Sequence, residues 1–120
     1  MIYGINGVII WTQNLDKLLS FYTEILGLQL NSNHGDFVSF KWGNMRLNIG
    51  THSEIFGVNK EPNRLMINLE VDDIQNEFSQ LESKGVIFIS RPTRQRWGGW
   101  VCTFLDPDQN TLQLLEMPNR

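Results

Sequence analysis

The two histidines are the first residues in this sequence that could take part in chemistry. His34 and His52 both lie in polar segments, where a surface position is the ordinary explanation of a histidine. A metal ion would need carboxylates brought to both of them, and the pair worth testing is His52 with Glu54. We therefore expect no metal ion at the histidines.

Cys102 and Glu70 are the candidates for covalent and acid/base catalysis. Cys102 lies in the apolar run from Trp100 to Leu105 with no histidine nearby in sequence, which favours an inert core thiol over a nucleophile. Glu70 ends a strand-like segment. If Glu70 were buried on the cleft side, its carboxylate could remove a proton from a substrate. We favour the alternative, in which Glu70 is a solvated carboxylate at the end of a strand. We predict no catalytic residue.

The composition limits the size and the partners of the protein. The chain has 120 residues, 41% of them hydrophobic, which suits one core, so we predict a single domain over residues 1–120. The net charge of −3 argues against nucleic acid and membrane partners, although Arg91, Arg94 and Arg96 stand close to two tryptophans. Signal-peptide features are missing and one cysteine cannot form an internal disulfide, so we expect a soluble cytoplasmic protein.

The chain contains two similar segments, about residues 1–55 and 64–117, each of which reads as a strand, a helix and three more strands. Apolar and alternating runs define the strands. They are Ile5 to Trp11, Leu28 to Leu30, Phe37 to Trp42 and Met45 to Ile49, then Arg64 to Val71, Val86 to Ile89, Trp100 to Leu105 and Thr111 to Glu116, with turns at Gly43-Asn44 and Asp106 to Asn110.

Helix signals complete each segment. Asn14 can cap the first helix and Gly27 can end it. Asp72 and Gln75 resemble a capping box ahead of the second helix, which Lys84-Gly85 can close. The pattern predicts a βαβββ unit that occurs twice.

Several stretches of the chain, taken in order and spacing, carry a resemblance to a known superfamily. They are Asn14-Leu15-Asp16 to Phe21-Tyr22, Ile25-Leu26-Gly27-Leu28, Glu70-Val71-Asp72-Asp73, and Phe104-Leu105-Asp106-Pro107-Asp108-Gln109-Asn110. The chain resembles the glyoxalase, bleomycin-resistance and extradiol-dioxygenase superfamily, with the vicinal oxygen chelate fold. Gln109 departs from the glycine usual in the last turn, which affects local backbone geometry.

The resemblance implies a fold and an assembly. The fold is α+β: two βαβββ modules whose curved mixed sheets form a cleft, with the helices outside. Family members of this length commonly form homodimers in which both chains contribute to the ligand pockets. We therefore expect a homodimer.

The resemblance also implies where a divalent metal would bind, on the first, fourth, fifth and eighth strands. The corresponding residues are Gly7, Asn48, Met66 and Gln113, in place of the family's His, Gln or Glu. Glycine has no ligand atom, an amide is weak and a thioether suits Zn²⁺, Mn²⁺ or Fe²⁺ poorly. We expect neither a metal nor another cofactor.

A cleft without metal can still bind a ligand, and four tryptophans suit an aromatic one. In the cleft that the resemblance implies, strand alternation places Trp11, Met66 and Asn68 towards the ligand, and the alternative is that Trp11 and Met66 fill a closed core. The glycine-rich loop from Arg91 to Trp100 could close Trp97 and Trp100 over the ligand, with simple packing as the alternative. The predicted ligand-binding residues are Trp11, Asn48, Met66, Asn68, Trp97, Trp100 and Gln113.

The function predicted from these residues is binding without chemistry. We expect a metal-free small-molecule binding protein of the bleomycin-resistance type, acting in antibiotic resistance by holding a hydrophobic or aromatic ligand. The alternative is a metal-dependent lyase, isomerase or dioxygenase of the same superfamily with non-standard ligands. A third possibility is a dimeric interaction module with a filled cleft.

Overall fold

The computed structural model describes residues 1–118, and the chain divides into two compact units, Met1–Gly57 and a second that begins at Val58. The first unit contains strand β1 (Gly7–Thr12), helix α1 (Leu15–Ser20) continued by a π-helical turn (Phe21–Ile25), and strands β2 (Leu30–Asn33), β3 (Phe37–Trp42) and β4 (Met45–Thr51). Its sheet has the order β1-β4-β3-β2. β1 is parallel to β4 and the other pairs are antiparallel.

The second unit repeats this arrangement. It contains strand β5 (Met66–Glu70), helix α2 (Ile74–Ser83) and strands β6 (Phe88–Arg94), β7 (Trp100–Leu105) and β8 (Thr111–Glu116), in the sheet order β5-β8-β7-β6. β5 is parallel to β8, as β1 is to β4. The predicted α+β class and the repeated βαβββ pattern are confirmed.

The helix ends follow the sequence signals in part. The Asn14 side chain accepts a hydrogen bond from the Lys17 amide at 3.2 Å, and Gly27 adopts a positive φ of 74° just after the π-helical turn, as expected. The predicted capping box of Asp72 with Gln75 is wrong. Asp73 caps α2 instead, its carboxylate accepting from the Asn76 amide at 3.1 Å, because the helix begins one residue later than the motif suggested.

The segment between the second helix and β7 also differs from the prediction. β6 begins at Phe88, two residues after the start of the predicted strand Val86 to Ile89. It then continues to Arg94 and pairs with β7, so it includes the first four residues of the predicted loop Arg91 to Trp100. β6 is the edge strand of its sheet and carries register shifts, so Pro92 is tolerated within it. Only residues 95–99 remain as a connection.

Each sheet has one side packed under its helix and one side facing away from it. Even-numbered positions of β1 such as Ile10 and Thr12 are buried, whereas Ile9 and Trp11 are 47% and 39% exposed. Most of the buried positions in the other strands are apolar, with Ser39 and Thr111 as polar exceptions. In the first unit the core combines strand and helix residues, namely Val38, Phe40, Leu47 and Ile49 with Leu18 and Tyr22. In the second unit it combines Cys102, Phe104, Leu112 and Leu114 with Ile74, Phe78 and Leu81. Within residues 1–118, neither helix is long and apolar enough to cross a membrane.

Candidate functional site

The first candidate surface is the side of the first sheet that faces away from α1. We call it the first face, formed by Gly7, Ile9 and Trp11 of β1, Phe37, Ser39 and Lys41 of β3, and Arg46, Asn48 and Gly50 of β4. In the strand register Ile9 lies opposite Asn48, and Trp11 lies opposite Gly50. The predicted binding residues Trp11 and Asn48 therefore share one surface.

Three rings meet at one end of the first face. The Trp11 ring lies 6.0 Å from that of Phe37 and 5.2 Å from that of His52, measured between centroids, and the indole and imidazole planes meet at 68°. We call Trp11, Phe37 and His52 the aromatic cluster. Because Trp11 keeps 39% of its surface exposed, the cluster presents an aromatic side to solvent instead of filling the core.

Gly50 is the residue that makes the aromatic cluster possible. A Cβ atom at this position would lie 2.6 Å from Cδ1 of Phe37 and 2.9 Å from Cζ3 of Trp11, both closer than van der Waals contact allows. The two rings therefore approach each other over a bare backbone. A side chain at position 50 would push them apart.

His52 is held by its own backbone as well as by Trp11. Its Nδ1 accepts a hydrogen bond from the Glu54 amide at 3.1 Å, so the link between these two residues runs through the main chain. That nitrogen is thereby occupied, which removes it as a ready metal ligand. Across residues 1–118, no group of three or more His, Cys, Asp or Glu side chains is placed to hold a metal ion.

A row of polar side chains crosses the middle of the first face. Asn48 of β4 lies opposite Ser39 of β3, and Ser39 lies opposite Ser32 of β2. The Ser32 and Ser39 hydroxyl oxygens are 2.8 Å apart, and the Asn31 amide donates to Ser39 at 3.4 Å. The hydroxyls satisfy one another, and the half-buried Asn48 supplies an amide beside the aromatic cluster.

The second candidate surface is the side of the second sheet that faces away from α2. This second face carries Met66, Asn68 and Glu70 of β5, Thr103 of β7 and Gln113 of β8. Gln113 lies opposite both Asn68 and Thr103, and its amide donates to the Thr103 hydroxyl at 3.0 Å. Met66 is 44% exposed, so it does not plug a closed core. The predicted residues Met66, Asn68 and Gln113 thus share one surface.

The two tryptophans predicted to form a lid are not placed alike. Trp100 belongs to β7 and shares the side of Cys102 and Phe104, both fully buried, so alternation puts it on the opposite side of the sheet from Gln113. Trp97 is 50% exposed and its ring lies against Gly99, where any Cβ would overlap it. The predicted lid role is wrong for Trp100, because Trp100 lies on the core side of β7.

The four positions that correspond to the family's metal ligands do not suit a metal. At Gly7 a Cβ would lie 2.9 Å from the Arg46 carbonyl oxygen and 3.4 Å from the Asn48 amide nitrogen, so the backbone is closed to a ligating side chain there. Asn48 and Gln113 are neutral amides, and Met66 is a thioether. No step of any reaction is therefore assigned to a metal ion.

Cys102 has the environment of a core residue. The thiol is fully buried, and this burial raises its pKa from the ordinary 9.0 to about 11, against the smaller opposite effect of a backbone hydrogen bond with Leu114. A thiol with a raised pKa is a poor nucleophile near neutral pH. The placement supports the inert core role expected for Cys102.

Sequence reasoning missed Phe37 and Gly50 as members of the first face, and His52 as a member of the aromatic cluster. Alternation alone could have found Phe37, since it stands two residues before Ser39 on the same side of β3. His52 follows the end of β4 and Gly50 contributes by lacking a side chain, so neither carries a signal of its own.

Comparison with known proteins places this geometry in a family. A family model described as a glyoxalase-like domain matches residues 5–117. The uncharacterized proteins YraH and YetH of Bacillus subtilis are 26% and 27% identical to the chain, over 84% and 97% of it and 88% and 100% of their own lengths. A solved structure from Sphaerobacter thermophilus, a member of the glyoxalase/bleomycin resistance protein/dioxygenase superfamily, is 23% identical with a TM-score of 0.76, covering 97% of this chain and 98% of that one. The chain belongs to the glyoxalase-like domain family.

Proposed function

We propose that this protein binds a hydrophobic or aromatic small molecule without a metal ion, as the drug-sequestering members of its superfamily do. The observation that carries the proposal is the aromatic cluster, in which Trp11 stays 39% exposed while its ring is positioned by Phe37, His52 and the bare backbone of Gly50. An exposed indole fixed in this way is a stacking surface whose ordering cost has already been met in the free protein.

The surroundings of the aromatic cluster support binding rather than catalysis. Asn48 offers a hydrogen-bonding amide on the same face. The second face, taken by itself, offers the amide of Asn68 and the apolar, deformable Met66. A small number of polar groups among apolar and aromatic ones is typical of a ligand site. The proposed ligand-binding residues of the first face are therefore Trp11 and Asn48, and Met66, Asn68 and Gln113 are proposed separately for the second face.

Tryptophan fluorescence tests where a ligand binds. In a screen of small aromatic compounds, a bound compound should quench the emission of Trp11. Trp11→Phe should abolish most of that quenching, whereas Trp42→Phe should preserve it, because Trp42 is 48% exposed but lies on the opposite side of the sheet. Each of these two variants removes one exposed indole, so a difference between them reflects the position of the tryptophan and not the loss of a fluorophore.

Affinity gives an independent check that does not depend on the fluorophore. By equilibrium dialysis, Trp11→Ala should weaken binding about tenfold, the loss expected from one aromatic stacking contact together with its buried area. Equal affinities for Trp11→Ala and the wild type would show that the aromatic cluster is not the site. No binding of any compound up to about 1 mM would overturn the proposal itself.

Metal content separates binding from the metal-dependent chemistry of other family members. After incubation with Zn²⁺, Ni²⁺, Mn²⁺ or Fe²⁺ and desalting, we expect less than about a tenth of an equivalent per chain, because the donor atoms at Gly7, Asn48, Met66 and Gln113 are weak or absent. A stoichiometric metal would instead support a lyase, isomerase or dioxygenase with non-standard ligands, and His52 with Glu54 would be its first candidate ligands.

The setting of the protein is part of the proposal. We propose a cytoplasmic homodimer that contributes to antibiotic resistance, with no nucleic-acid or membrane partner. Light scattering of the purified chain checks the dimer, and growth of an expressing strain on a panel of aromatic antibiotics checks resistance.

A further inference from the structure

Two basic side chains lie on the first face at the end away from the aromatic cluster. Lys41 of β3 and Arg46 of β4 are direct partners in the antiparallel register, so their side chains leave the sheet on the same side. That side is the first face, because a Cβ at Gly7 would lie 3.5 Å from the Cβ of Arg46. Both residues are exposed.

The first face therefore has three bands that follow one another along the strands. Lys41 and Arg46, which we call the basic pair, are at one end. The polar row of Asn48, Ser39 and Ser32 is in the middle, and the aromatic cluster is at the other end. With a rise of about 3.3 Å per residue, Arg46 lies about 13 Å from Gly50, and Asn48 lies halfway between them. The long arginine and lysine side chains shorten the distance that a ligand must span.

The basic pair places two positive charges side by side in a chain whose net charge is negative. The net charge is −3, yet like charges are placed directly opposite each other on adjacent strands, an arrangement that destabilises a sheet. Two salt bridges within residues 1–118 join Arg64 to Glu61 and Arg91 to Glu82, and neither of these involves Lys41 or Arg46. An anionic group bound between Lys41 and Arg46 would relieve their repulsion.

From these three bands we infer that the first face selects anionic aromatic molecules, with the ring on the aromatic cluster and a carboxylate at Lys41 and Arg46. The inference rests on the proposed function and narrows its ligand class. Arg46 contributes a planar group able to hold a carboxylate with two hydrogen bonds, and Lys41 contributes a second cation. Asn48 can bond a polar linker between the two ends.

Three dansyl probes of nearly equal size test the charge preference. Dansyl-6-aminohexanoate is anionic, its primary amide is neutral and dansylcadaverine is cationic. Fluorescence anisotropy gives the dissociation constant of each. We expect the anionic probe to bind about tenfold more tightly than the neutral one, and the cationic probe to bind more weakly than both. The preference should decrease in high salt, since exposed charges are screened.

Charge-removing variants locate the preference on the protein. Arg46→Gln should reduce the anionic preference, and the double variant Lys41→Gln with Arg46→Gln should bring the anionic and neutral probes to equal affinity. Lys17→Gln is the matched control, because it removes the same charge from the exposed side of α1, across the sheet from the first face. Thermal unfolding checks that each variant is folded.

The possible results separate the inference from the proposed function. Equal binding of the three probes to the wild type would refute the charge preference while leaving small-molecule binding in place. A preference that survives in the double variant, or that Lys17→Gln also removes, would refute the assignment to Lys41 and Arg46. If none of the three probes binds up to about 1 mM, the inferred ligand class is wrong, and the fluorescence screen of aromatic compounds decides the proposed function separately.

Discussion

Replacing Gly50 with alanine tests whether the aromatic cluster depends on a missing side chain. The added Cβ would lie 2.6 Å from the Phe37 ring, 2.9 Å from the Trp11 ring and 3.3 Å from the Asp36 carbonyl oxygen. Overpacking of this kind typically costs about 1–3 kcal/mol. Alanine regains about 0.5–1 kcal/mol over glycine within a strand. The balance is a loss of about 1 kcal/mol in the free energy of unfolding.

Urea unfolding and the melting temperature measure that loss. For a chain of this length, about 1 kcal/mol corresponds to a fall of about 4 °C in Tm. Near-ultraviolet circular dichroism should also change, because the Trp11 and Phe37 rings must move apart. Trimming the opposing ring supplies the control: in the double variant Gly50→Ala with Phe37→Ala, the alanine at position 50 should cost less than it does alone, which a double-mutant cycle detects.

One outcome would refute this account of Gly50. If Gly50→Ala is as stable as the wild type and its near-ultraviolet spectrum is unchanged, the rings do not rely on the bare backbone. Binding of the aromatic probes to the variant should then also be unaffected. We expect it to weaken, because the stacking surface is displaced.

Three further predictions concern other parts of the chain. Gln109 adopts a φ of 63°, so Gln109→Gly should stabilise the chain by about 1 kcal/mol in urea unfolding, and a decrease would contradict the strain. Asp73→Ala should destabilise by about 1 kcal/mol through loss of the cap on α2, with Asp73→Asn nearly neutral; equal losses would contradict a capping role. The pKa of Cys102 is raised from 9.0 to about 11, so the unfolded chain loses its thiol proton first on raising the pH. Stability should be unaffected by this thiol below about pH 9 and should fall by up to about 2 kcal/mol towards pH 11, and Cys102→Ala should lack that part of the decline.

Much of the fold was predictable because local signals and hydrophobic pattern agreed. β3, β7 and β8 have the predicted bounds, since each is an apolar run closed by turn residues. β6 was shortened in the prediction, because Pro92 and the neighbouring arginines resemble a loop and only pairing with β7 makes them a strand. Tertiary pairing overrode the local preference at that position.

The candidate site was predictable only where alternation decides the side of a sheet. Trp11, Asn48, Met66, Asn68 and Gln113 all lie on the side that faces away from a helix. The predicted lid role of Trp100 is wrong although its strand was predicted with the correct bounds, because alternation was not used to decide on which side of β7 it lies. The aromatic cluster depends on ring contacts between neighbouring strands and on the absence of a side chain at Gly50. Both depend on strand pairing, which local sequence patterns do not specify.

The parallel pairing of the first and last strands in each unit has a consequence for synthesis. Ile9 pairs with Asn48, and Asn68 pairs with Gln113. Each pair can form only after the ribosome has added about forty more residues to the chain. Until then the apolar side of β1 or β5 has no sheet to join, which makes each unit a folder dominated by non-local contacts. Each opening strand therefore remains an exposed, aggregation-prone segment on the ribosome until its own unit is almost complete.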